Sequence, residues 1–104
     1  MNEIVVFITA SGEDEAVKIA RSLVEARLAG CVNIIKNIRS VYRWKETIED
    51  EPEVLMVVKT RETLFHELMK TVKELHSYSV PEIIALPIVD GSEDYLKWLR
   101  DVTG

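Results

Sequence analysis

The chain has 104 residues, 47% hydrophobic and 30% charged, with a formal net charge of −5. That balance describes one globular domain, residues 1–104, and excludes bulk disorder. The surplus of carboxylates repels a phosphate backbone, so no nucleic-acid partner is expected.

Ile4 to Thr9 is a β-branched apolar run and reads as a buried strand. Ser11 and Asp14 are spaced as a capping box for the helix that follows. Ala16, Ile19, Ala20, Leu23 and Leu28 recur along it at helical spacing, and Gly30 suits a left-handed stop. A second strand starts at Cys31 and runs through Ile35, with Asn37 as a candidate bend. Val41 to Trp44 either continues that strand or forms half of a hairpin arm. Lys45 to Pro52 reads as a polar, acidic connection. Val54 to Thr60 is a third strand, with Thr60 as N-cap of the next helix. Leu64, Leu68, Val72 and Leu75 stripe that helix. Glu82 to Val89 is a fourth strand. Ser92 caps a short last helix, with Tyr95, Leu96, Leu99 and Val102 expected inward.

The order is β-α-β, β-α-β, then a helix. Two such units predict an α+β fold, a ferredoxin-like βαββαβ sheet with its helices on one face. The other face would lie bare. Strands as apolar on both faces as Ile4–Ile8 and Val54–Val58 need cover, so a second copy of the chain is expected.

The chemistry-bearing residues are few. No CxxC, HExxH or HxH occurs. His66 and His76 stand ten positions apart, about 15 Å along one helix, so they cannot share an ion. His76 ends a helix close to Tyr78 and Glu82, which fits either a site or a helix stop favoured by the macrodipole. The run Glu49 to Glu53 lacks the alternating ligands and glycine of a calcium loop and reads as solvated. Cys31 reads as a small buried apolar residue; a thiolate pair with His76 is the weaker alternative. Four glycines form no phosphate cradle. Tyr42, Trp44 and Trp98 serve either interface packing or a ligand-stacking wall.

No apolar run reaches bilayer-spanning length, so no membrane partner is expected. The start Met1-Asn2-Glu3 lacks a signal peptide's basic head, and the single cysteine suits a reducing compartment. A cytoplasmic location follows as an expectation. The absence of glutamine, with abundant Glu, Lys and Arg, leans towards a heat-adapted source.

Five segments together resemble the CutA family of divalent-cation tolerance proteins. They are Ala29 to Ile35, Ile38 to Trp44, Val57 to Thr60, Glu74 to Ile88 and Tyr95 to Leu99. The resemblance implies a tight homotrimer like that of the PII signalling proteins, with no catalytic reaction. It implies divalent-metal binding, weak, with copper(II) first and zinc possible. Carried over, His76 and Glu82 are the expected metal residues. Cys31, Arg39, Tyr42, Trp44, Lys59, Tyr78 and Trp98 are expected in clefts between subunits. The chain departs from the family pattern at Ser77, where proline is usual, and at Glu46, where glycine is usual. Arg43 replaces a common aromatic. Ile8 and Thr9 stand where some members carry a cysteine, which disfavours copper(I). A PII-like signalling or scaffolding trimer, with Lys59 and Arg39 as anion contacts, is the alternative.

Overall fold

The computed structural model describes residues 2–104; Met1, the head of the start read above, lies outside the described residues. The elements are β1 (Glu3–Ala10), α1 (Glu13–Glu25), β2 (Cys31–Trp44), β3 (Thr47–Arg61), α2 (Phe65–Leu75), β4 (Ile83–Pro87) and α3 (Glu93–Val102). A single 3₁₀ turn, Glu62–Leu64, leads into α2. All neighbouring strands are antiparallel, in the order β2-β3-β1-β4. Each βαβ half therefore inserts one strand of the other between its own two, which is the expected ferredoxin-like α+β sheet.

The core follows from two periodicities. Alternate residues of the central strands, Ile4, Val6 and Ile8 with Val54, Met56 and Val58, point to one face and are buried. Ala16, Ile19 and Leu23 of α1 and Leu68 and Val72 of α2 close over them. The intervening residues face the other way. There Val5, Phe7, Leu55 and Val57 are only half-buried, and Ile35, Ile84 and Leu86 are exposed.

That second face is not wholly bare, which corrects the expectation of helices on one face only. Helix α3 is tied across one end of it. Arg100 pairs with Glu3 at 3.3 Å, and Arg61 donates to Thr103 Oγ1 and O. Glu3 and Arg61 alternate onto the same face as Val5 and Lys59. Leu99 is fully buried beneath α3. Gly30 is required by this packing, because a Cβ there would lie 2.5 Å from Leu99 Cδ1. The left-handed stop of α1 is Arg27 instead, at φ 61°. Leu28 N–H donates to Leu23 O and Arg27 N–H to Val24 O, a Schellman ending. Arg27 donates onward to the carbonyls of Asp101 and Gly104.

The largest difference from the sequence reading lies at Lys45 to Pro52. Only Lys45 and Glu46 turn; Thr47 onward is strand, paired with β2 from Trp44 back to Ile38. The β2–β3 hairpin thus runs beyond β1, whose pairing with β3 stops at Ala10↔Val54, and stretches the molecule to 44 Å. Pro52 is tolerated because β3 has a partner on only one side in this two-stranded arm. Asn37 does bend β2: it takes φ 65° at the register shift between Ile35 and Ile38.

Smaller differences have local causes. Gly12, not Ser11, is the N-cap of α1, and Ser11 N–H and Oγ–H instead donate to Glu15. Thr60 stays in β3 and donates to Leu28 O at 2.6 Å, so it caps no helix. β4 is shorter than Glu82–Val89 because it pairs with β1 alone, from Ile83 to Pro87. Ser92 caps α3 as expected, accepting from Tyr95 N–H, but the Tyr95 side chain is 41% exposed rather than enclosed.

Candidate functional site

The hairpin arm and the α2–β4 connection meet at a cleft of about 590 Å³. Its lining includes Tyr42 and Trp44 from β2, Glu53 from β3, and Tyr78, Val80 and Glu82 from the connection. The arm brings its aromatics here because β2 is bent at Asn37 and carried past β1. The connection brings Tyr78 because α2 stops at His76 in extended conformation, ψ 142°.

His76 is the fastener of that connection. Its side chain is fully enclosed. Nε2–H donates to Thr9 O at 2.7 Å, and Tyr78 N–H donates to Nδ1 at 3.1 Å. A carbonyl only accepts and an amide N–H only donates, so Nε2 serves as the ring's donor and Nδ1 as its acceptor. Both nitrogens are thereby occupied. The rings of His76 and Tyr78 lie 4.7 Å apart. Glu15 reaches the same junction from α1, accepting from Ser77 N–H at 2.7 Å. Burial pushes its carboxyl up, but the hydrogen bonds from Ser77 and Ser11 outweigh this and hold it at about 2.

Two tyrosine–carboxylate pairs organise the cleft. Tyr78 OH donates to Glu53 Oε2 at 2.6 Å, and Tyr42 OH donates to Glu51 Oε1 at 3.0 Å. Burial and the Glu53 carboxylate push the Tyr78 phenol far up. The bond to Glu51 likewise raises Tyr42. Both phenols therefore stay protonated donors, and negative potential dominates the site.

Within the single chain, the residues expected at a metal site or in clefts between subunits lie in separate places. Tyr42, Trp44, Tyr78 and Glu82 share the cleft, while His76 stands behind it as support. Cys31, Lys59 and Trp98 gather instead at the α3 end. Lys59 bonds Asn33 Oδ1 and Val57 O, Cys31 Sγ lies 4.0 Å from Asn33 Oδ1, and Trp98 packs on Tyr95 at 5.4 Å. Burial and the neighbouring Cys31 thiol raise the Tyr95 phenol. Arg39 belongs to neither group, being held bidentately by Asp50 at 2.8 and 2.7 Å on the arm. Glu53 is the site residue that sequence reasoning missed. It ends an acidic run whose composition suits solvent, yet it is only 7% exposed. The signal was its parity: two residues before Leu55, it shares the strand face of Leu55 and Val57.

Among the described residues no three His, Cys, Asp or Glu side chains converge as a metal cage, and no helix is long and apolar enough to cross a membrane.

The model of the CutA1 divalent ion tolerance protein family matches residues 4–102. The divalent-cation tolerance protein CutA of Thermus thermophilus is 50% identical over 102 residues, covering 98% of this chain and 99% of that one. The chloroplastic protein CutA of Arabidopsis thaliana is 44% identical over 96% of this chain, which spans 55% of that longer protein. A solved structure of the Thermus thermophilus protein superposes with a TM-score of 0.96 at 50% identity, covering 98% of this chain and 99% of that one. The family is named for ion tolerance rather than for a reaction. A match across nearly the whole chain, on the fold and motifs described, places this protein in the CutA1 divalent ion tolerance family.

Proposed function

We propose that this chain is a cytoplasmic homotrimer that binds divalent cations weakly, copper(II) first and zinc second, and so contributes to tolerance of them. The family match over residues 4–102 carries the reading. The cleft is consistent with it, since Glu53 and Glu82 both line it. Carboxylates and a single imidazole suit copper(II) or zinc better than copper(I). A tightly held resident ion does not fit these residues: no cage of three ligands is present among those described, and both His76 nitrogens are engaged. His76 joins Glu82 as a ligand only by releasing Tyr78 N–H or Thr9 O. The half-apolar second sheet face supports the trimer, because Ile35, Ile84 and Leu86 are exposed there at 42–51%.

Titration with copper(II) and zinc, followed by calorimetry, tests the reading. Binding at micromolar to sub-millimolar concentration is expected, weakened tenfold or more by Glu82→Gln. Unchanged binding by His76→Ala removes His76 from the ligand set. No binding of either ion below millimolar overturns the metal reading. For the PII-like alternative no observation weighs more, because Arg39 and Lys59, its anion contacts, are already satisfied by Asp50, Asn33 and Val57.

A further inference from the structure

Two glutamates of the central strands are buried, and they are treated differently. Glu3, 6% exposed, is paired with Arg100. Glu53, 7% exposed, receives, among the described residues, the neutral hydroxyl of Tyr78. Among the described residues no Lys, Arg or His is ion-paired with Glu53, nor with Glu82 on the same cleft. A carboxylate withdrawn from water without a cation is costly, so the arrangement is one that a cation from outside completes.

The walls say what kind of cation. Besides the carboxylates, the cleft is lined by Tyr42, Trp44 and Tyr78 and by Val41 and Val80. A bare metal ion uses none of that apolar and aromatic surface. An ammonium group on a short alkyl stem uses all of it. It brings N–H donors for the carboxylates, a charge that aromatic faces attract, and an apolar stem to set against the valines. We propose that this cleft is a binding site for a primary alkylammonium group, presented by a free amine or by a lysine side chain. The inference concerns the same cleft as the metal reading but does not depend on it. It adds that amine and metal exclude one another there, since both need Glu53 and Glu82.

The test uses the full-length protein in buffer containing EDTA, with tryptophan fluorescence and calorimetry as readouts. The probes are n-butylammonium, the neutral isostere n-butanol, and N-acetyl-lysine amide. Saturable binding of n-butylammonium is expected, with n-butanol at least tenfold weaker. Glu53→Gln and Glu82→Gln should each weaken the amine at least tenfold. Glu82 is exposed, so its variant reports even if Glu53→Gln folds poorly. N-acetyl-lysine amide binding as well as n-butylammonium identifies a peptide side chain as an acceptable source; its failure restricts the site to free amines. Equal binding of amine and alcohol, or parent-like affinity in Glu82→Gln, overturns the proposal. So does the absence of saturable binding, as when a neighbouring copy already fills the cleft with its own basic side chain. Because EDTA removes metal ions, these outcomes are distinct from failure of the metal titration.

Discussion

His76 shows how one buried side chain can hold the wall of a cleft in place. Its two nitrogens join β1, through Thr9, to the peptide of Tyr78. That fixes where the phenol meets Glu53. Glu15 secures the following residue, Ser77, and its carboxyl lies near 2 in the folded state against an ordinary 4.5. A depressed carboxyl contributes stability that is complete above pH 4.5 and is lost as pH falls towards 2. With the side chain 16% exposed, the contribution is on the order of 2 kcal/mol after screening. Denaturant melts of the parent should therefore weaken between pH 5 and pH 3 more steeply than those of Glu15→Gln. Parallel curves would remove Glu15 from this role.

At the scale of elements, the β2–β3 arm is the most informative. Its two-residue turn places Lys45 at φ 49° and Glu46 at φ 73°. Hairpins of this length need positive φ at both positions, which is why Asn-Gly is favoured there. Neither residue here has that freedom, and a left-handed L-residue costs about 1–2 kcal/mol. Glu46→Gly should accordingly stabilise the protein by about 1 kcal/mol, read as a raised denaturation midpoint at unchanged slope. The arm was hard to read in the sequence for a physical reason. A two-stranded ribbon in solvent has no buried face, so Thr47 to Pro52 carry no alternating apolar pattern. The strands at Ile4 and Val54 and the stripe of α2 were legible because burial imposes that pattern on them.

At the scale of the molecule, the second sheet face sets the question of assembly. Helix α3 covers one end, and Val5, Phe7, Leu55 and Val57 are left half-buried beside exposed Ile84 and Leu86. Such a patch is stable in water when another copy covers it. Ile84→Glu should dissociate the proposed trimer while leaving the monomer folded, because Ile84 is 51% exposed in the single chain. Light scattering coupled to size exclusion, with circular dichroism as a check on folding, measures both. A parent protein that elutes as a monomer at micromolar concentration would remove the trimer.

The sequence by itself determined the order of elements, the ferredoxin-like sheet and the family. Hydrophobic periodicity and the matched motifs are local properties that need no knowledge of distant contacts. It also singled out Tyr42, Trp44, Tyr78 and Glu82, though as residues of an inter-subunit cleft and, for Glu82, of a metal site. Tertiary structure alone decided which of these residues meet. It turned His76 inward to Thr9 and Tyr78, set Lys59 and Cys31 at the far end with Trp98 of α3, and buried Glu53 beside a phenol with no basic partner among the described residues. These are contacts between residues far apart in the chain, set by strand register and by the path of the arm, and no local pattern encodes them.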